Sequence, residues 1–185
     1  LLATRAGKAI RFAGDDVREF VSRTSTGVRG MTLKGDDEVI SLSILHRVGV
    51  KDQDEREDYL RHAPWKPDKE SEPAMSAERF AELVVKEQFI LTVCANGYGK
   101  LSSAYEYRRT GRGGQGITNI DNIGRNGPVV ASFPAAVADQ LMLVTDQAKL
   151  IRLGLDSLRV IGRGSAGVKL FDVGKGEHVV SAVRL

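Results

Sequence analysis

The sequence predicts an all-β fold, an array of three propeller-type blades of four short strands each, with a partly helical insertion. Two observations predict the blades: a unit of about 50 residues recurs, and each copy holds short apolar runs separated by Gly, Asp or Asn turns. The third is a break over residues 46–88, where charge and proline replace the strand pattern.

The first unit, 1–45, opens with Leu1-Leu-Ala-Thr-Arg-Ala-Gly-Lys8-Ala-Ile-Arg-Phe12, passes Arg23 and Gly27-Val28, turns at Lys34-Gly-Asp-Asp37 and ends in Val39-Ile-Ser-Leu42. The second, 89–138, repeats the order with Phe89-Ile-Leu-Thr-Val-Cys94 and Tyr98-Gly-Lys100, then Arg112, Gly116-Ile117, the turn Gly124-Arg-Asn-Gly127 and Val129-Val130. The third, 139–185, runs Leu141-Met-Leu-Val-Thr145, Lys149-Leu-Ile-Arg152, Arg163, Gly167-Val168, Gly174-Lys-Gly176 and Val179-Val180. Gly116 and Gly167 lie 51 positions apart (167 − 116), whereas Gly27 and Gly116 lie 89 apart (116 − 27), so the insertion separates the first two units. Lone blades cannot bury both faces, so the units are expected to stack, with strand edges exposed where the array ends.

Between the first two units, Asp52 to His62 is mostly charged, and Pro64, Pro67 and Pro73 interrupt the next stretch. Ser76 then precedes Ala77-Glu-Arg-Phe80-Ala-Glu-Leu83-Val84, where a capping hydroxyl, an early Glu78 and an apolar stripe predict a helix. One or two helices packed on the side of the blades are expected, with Phe80, Leu83 and Val84 as the packing face.

With 185 residues, 42% hydrophobic and 28% charged, the chain can bury a core. It has no apolar run of about 18 residues, so no membrane span is expected. Its start at Leu-Leu-Ala-Thr, inside a strand pattern, reads as a piece of a longer protein. The single cysteine, Cys94, sits in an apolar strand and reads as a small buried residue. His46, His62 and His178 are scattered, no Walker loop, Cys-x-x-Cys or Gly-x-Ser-x-Gly is present, and Asp15-Asp16 and Asp36-Asp37 fall in turns. Neither a catalytic centre nor a metal site is expected.

Gly111-x-Gly113-x-x-Gly116 has the spacing of a dinucleotide loop, but a Rossmann helix must follow such a loop, and Ile117-Thr-Asn-Ile120 with the turn-rich Asp121 to Pro128 cannot form one. The basic residues point elsewhere. The insertion holds 11 acidic and 8 basic residues of the chain's 24 and 27, which leaves the three units at +6 against +3 overall. Lys8, Lys100 and Lys149 are read as one equivalent position, Arg23, Arg112 and Arg163 as a second, Arg11 and Arg152 as a third, Arg29 and Lys169 as a fourth. With Arg108 and Arg109 of the glycine stretch they form a candidate DNA-phosphate stripe, since cations repeated along an array suit a backbone of regularly spaced charge. The alternative is that they are solvated surface charge.

Phe89 to Lys100, the arginine-glycine stretch 108–116, Arg125-Asn-Gly-Pro-Val-Val130, Gln140 to Asp146 and Val160-Ile-Gly-Arg-Gly-Ser-Ala-Gly-Val168 resemble the C-terminal domain of the A subunit of bacterial DNA gyrase. The resemblance covers nearly everything except the insertion. It implies a β-pinwheel, a propeller-like disc of six blades whose basic rim binds and bends double-stranded DNA, of which three units would be the C-terminal half. It further implies the rest of the A subunit, together with the B subunit, as partners in an A2B2 enzyme. ATP and Mg2+ would be needed by the whole enzyme but not by this piece, the location would be cytoplasmic and nucleoid-associated, and negative supercoiling would be the outcome. The family's DNA-breaking tyrosine lies outside such a piece. One departure stands out: the family box Gln-Arg-Arg-Gly-Gly-Lys-Gly is matched only in part by Thr110-Gly111-Arg112-Gly113-Gly114-Gln115-Gly116, so no box residue is carried over. The equivalent domain of topoisomerase IV, or a basic propeller module that meets an acidic protein, are the other readings.

Overall fold

Apolar alternation and glycine turns generate eleven antiparallel strands in a computed structural model that describes residues 1–46, 49–67, 71–122 and 124–185. Arg47, Asp68, Lys69 and Glu70, counted among the insertion's charges, and Ile123 of the turn-rich stretch lie outside the described residues. In the first unit β1 is Leu2–Thr4, β2 Lys8–Ile10 and β3 Val39–Leu42. The second holds β4 Phe89–Cys94, β5 Tyr98–Ser103, β6 Ile117–Thr118 and β7 Val129–Ala135, and the third β8 Gln140–Thr145, β9 Leu150–Gly154, β10 Val168–Lys169 and β11 Val179–Arg184.

The sheet orders are β3-β1-β2-β6, β10-β5-β4-β7 and β11-β8-β9. The fourth strand of a sheet therefore comes from the next unit: β6 pairs with β2 (Ala9 opposite Ile117) and β10 with β5 (Gly99 opposite Val168). This differs from blades each built from one unit, and the third sheet has three strands among the described residues. The reason lies in the loops that lead to β6 and β10. Gly116 and Gly167 hold φ at +74° and +81°, and the backbone oxygens of Ala9 and Gly99 lie only 2.5 and 2.7 Å from where a Cβ would stand. Only glycine lets the chain come that close to the neighbouring blade.

The unexchanged edge strands β3, β7 and β11 pack beside one another, with the Ser41 hydroxyl donating to the Ser132 carbonyl at 2.7 Å. They mark the inner side, and the exchanged strands mark the outer edge. Leu91, Val93, Leu101, Leu141, Leu143 and Leu155 form one core across the second and third blades. At the junction of the first and second, Asn119 follows β6 into the core, where Tyr107 Oη donates to its Oδ1 at 2.6 Å and its Nδ2 donates to Ser132 Oγ at 3.3 Å. A buried amide with partners on both sides ties the exchanged strand to its own blade.

Among the insertion's described residues lie two helices, α1 Gln53–His62 and α2 Ala77–Lys86, capped by Asp52 Oδ1 and Ser76 Oγ as acceptors from Glu55 N and Arg79 N. Leu83 is fully buried with Tyr59, Ala63 and Tyr105, and Phe80 and Val84 pack against them, as the sequence stripe predicts. Tyr105 belongs to a short 3-10 turn, Ala104–Glu106, so the helices dock on the second blade. Glu87 secures that dock by accepting from Tyr59 Oη at 2.8 Å, Ser103 Oγ at 2.6 Å and Trp65 Nε1 at 3.0 Å. Burial raises its pKa against the lowering effect of those three donors. Cys94 is buried as read from the sequence, and burial pushes its thiol up to about 12, too high for thiolate chemistry.

Candidate nucleic-acid interface

The repeat sets one position beside the outer edge, the residue after a positive-φ turn position, and in the first and third units that residue is a lysine. Gly7, Gly97 and Ala148 all hold positive φ at the same turn, and the next residues are Lys8, Tyr98 and Lys149. Lys8 N and Lys149 N both donate to the threonine that ends the preceding strand, Thr4 Oγ1 at 3.1 Å and Thr145 Oγ1 at 3.2 Å. Lys100 is therefore not the equivalent of Lys8 and Lys149. The backbone repeats at 90 positions (97 − 7), while the two lysines lie 92 apart, so Lys100 takes the place of Ile10 and Ile151. Two residues along a strand keep the face but move from the edge to the core side of the junction.

There Lys100 is wholly buried, and its Nζ donates to the carbonyls of Gly162 at 3.1 Å, Ser165 at 3.0 Å and Arg163. Burial pulls its pKa down to about 7, opposed by the charge of Glu106. It bonds across the junction between the second and third blades and, being wholly buried, has no surface that a phosphate could reach.

Arg112 and Arg163 are likewise engaged with protein. Arg112 Nε donates to the Asp16 carbonyl at 3.0 Å and Nη1 to the Arg29 carbonyl at 3.2 Å. Arg163 Nε donates to the Glu106 carbonyl at 3.1 Å and Nη1 to the Thr118 carbonyl. Arg11 is half-buried, with Nη1 donating to Ala104 O at 2.9 Å and Tyr107 O at 3.3 Å, and burial followed by the nearby Arg109 lowers its pKa.

Arg112 stays exposed in spite of these bonds, and so do the other sequence-derived candidates. Lys8, Arg23, Arg29, Arg108, Arg109, Arg152 and Lys169 are exposed. Arg108 lines a cleft of about 180 Å³ between Ala9-Ile10 and the Gly111–Gly116 loop. Lys169 Nζ pairs with Asp172 at 2.6 Å, an exposed pair of little strength. Lys149 is 58% exposed and holds Glu177 at 2.6 Å. That lysine, with donation from Thr145 and from the Gly174 N–H, holds the buried Glu177 carboxyl down at about 2. Arg125 joins the set although sequence reasoning does not single it out. Its guanidinium lies over the Tyr98 ring, 5.0 Å from the centroid, and so restores a cation where the second blade has Tyr98 instead of lysine. Pairing a turn arginine with an aromatic 27 positions away (125 − 98) needs the strand register, which the sequence pattern does not display.

The fold and its edge together define a propeller-type array of strand-exchanging blades with cations along the outer side. The chain belongs to the family described as the DNA gyrase C-terminal domain, beta-propeller, matched over residues 1–46, 88–135 and 139–185. The unmatched stretch 47–87 holds both helices. The DNA gyrase A subunit of Rickettsia bellii is 45% identical over 193 residues, covering 98% of this chain and 21% of that protein. Its Salmonella typhimurium counterpart is 34% identical, with 100% and 16% covered. This chain thus spans about a fifth of those relatives. Among solved structures, the C-terminal domain of DNA topoisomerase IV superposes with a TM-score of 0.73 at 18% identity, covering 100% of this chain and 45% of that one. A DNA gyrase A C-terminal domain gives 0.66 at 20%, covering 99% and 49%. At such identities these two superpositions speak for the fold alone.

Proposed function

We propose that this chain binds double-stranded DNA without sequence specificity along its outer edge and bends it, as part of a gyrase A subunit. The observation that carries this is the recurrence of exposed cations at outer-edge positions of successive blades: Lys8 in the first, Arg125 on Tyr98 with Lys169 in the second, Lys149 in the third. They recur with the blades and point from the edge as single charges, an arrangement suited to phosphates, which carry no sequence information. Arg23, Arg29, Arg108, Arg109 and Arg152 extend the set.

Bending a duplex of 20–30 base pairs by 40–90° costs roughly 1–6 kcal/mol, which phosphate neutralisation must offset. In the whole enzyme this would present DNA for strand passage by the rest of the A subunit with the B subunit in an A2B2 assembly, where ATP and Mg2+ are used and negative supercoils result. The gyrase reading is favoured over topoisomerase IV by the sequence relatives, and a supercoiling assay of the parent enzyme, against relaxation alone, separates the two.

The test is duplex binding over a salt series with Lys8→Gln, Arg125→Gln and Lys169→Gln combined in one variant. The log–log slope should fall in magnitude by about 0.9 per contact, or about 2.7 for the three. An unchanged slope, or no binding by the unaltered chain at low salt, would refute the proposed interface.

A further inference from the structure

We propose that Arg112 and Arg163 are positioning residues: each guanidinium clasps two segments of the preceding unit and so sets the angle between successive blades, and with it the curvature offered to DNA. The DNA half of this inference rests on the function proposed above; the clasp itself does not.

The same construction occurs at both junctions. Asp16 and Glu106 each end a short 3-10 turn, Gly14–Asp16 and Ala104–Glu106, where a carbonyl is left without an intrahelical partner. Arg29 and Thr118 occupy equivalent places, each two residues beyond a glycine of positive φ, Gly27 and Gly116. In the second unit these are the two ends of the excursion that carries β6 out to the first blade, and in the first unit they bound the matching segment, Asp16 to Arg29, which forms no strand. One planar cation from the next unit fastens both ends through Nε and Nη1.

Adjacent bonds make the clasp part of the junction rather than a surface accident. Glu106 Oε2 accepts from Arg163 N at 2.6 Å, while beside Arg112 the Gly113 N–H donates to the Gly30 carbonyl at 2.7 Å and Thr32 Oγ1 donates to the Gly113 carbonyl at 2.7 Å. Donors at two fixed positions on a rigid fork suit two carbonyls at a set spacing, and an ammonium cannot reproduce that geometry although it carries the same charge. Arg23, the first unit's equivalent, makes no such bonds among the described residues and serves as the comparison.

The experiment separates charge from geometry with Arg112→Lys, Arg112→Gln and Arg23→Gln in the whole chain. Amide hydrogen exchange, measured without DNA, should accelerate about tenfold or more over Ile117–Thr118 and at Gly113 in both Arg112 variants, since charge-assisted bonds are lost in each. It should stay unchanged in Arg23→Gln. With a duplex labelled at its ends for energy transfer, both Arg112 variants should alter the bend while Arg112→Lys keeps the salt slope of the unaltered chain. If Arg112→Lys matches the unaltered chain in exchange and bend, and only Arg112→Gln loses about 0.9 of slope, Arg112 is a phosphate ligand and the clasp is overturned. Unaccelerated exchange in both Arg112 variants also overturns it. Failure of the unaltered chain to bind the duplex would refute the DNA function and the bending half of the proposal, with exchange still deciding the clasp.

Discussion

Lys100 shows how one side chain separates two junctions of the same design. Where the first blade presents Ile10 to the Gly114 backbone, the second presents an ammonium to three carbonyls of the Gly162–Ser165 loop. Its folded pKa of about 7 lies below its ordinary 10.5, so between those values the unfolded chain binds the proton that the folded chain has released. Stability should therefore rise with pH from about 7 towards 10.5, and below 7 the folded chain bears the full cost of the buried charge. Lys100→Met should lose that rise in urea midpoints measured across the window, and should be less stable by about 1–3 kcal/mol at pH 9 because carbonyls lose their donor. Reading Lys100 as a rim cation from sequence fails by two residues, an error that only strand register exposes.

At the scale of the element, the exchanged strand depends on a glycine. Gly116→Ala would place a methyl 2.5 Å from the Ala9 carbonyl oxygen in a conformation with φ near +74°, so the loop must lift and β6 must leave β2. The expected cost is about 1–3 kcal/mol, read as a lower midpoint in thermal unfolding. Gly27→Ala has the same kind of φ, +75°, with nothing within 4 Å, so it carries only the left-handed strain of about 1–2 kcal/mol and should cost less than Gly116→Ala. Equal effects at the two positions would show that close approach to the neighbouring blade contributes nothing. The glycines are legible in the sequence as turn and loop residues. Which blade they bring their strand to is not, because a two-residue strand carries no address in its own composition.

For the whole molecule, the insertion is a separate body fastened at one place. Its ends meet, since the Gln88 Oε1 accepts from His46 N at 3.0 Å, and its core touches the blades through Tyr105 and Glu87. Replacing 47–87 by a short Gly-Ser link together with Tyr105→Ser should leave a folded array whose DNA salt slope is unchanged, with circular dichroism showing loss of the helical signal alone. A markedly flatter slope would assign the insertion a part in the DNA path. Helix α2, its cap and its buried face are readable from Ser76 and the Phe80-Leu83-Val84 stripe, whereas the Glu87 anchor is not, as its three donors come from α1, the loop after it and the second blade.

By itself the sequence determined the class of the protein: period, strand alternation and turn glycines demand stacked all-β blades, and the excess of basic residues in the units puts the charge on the blades. Those properties are local or additive, so they survive without coordinates. Only the tertiary structure decided that the fourth strand passes to the preceding blade, that Lys100, Arg112 and Arg163 donate to carbonyls of the adjacent unit, and that Arg125 lies over Tyr98 in the second blade. Each of these turns on whether a carbonyl or a ring from a distant segment lies within bonding distance of a cation, and the folded register alone sets that distance.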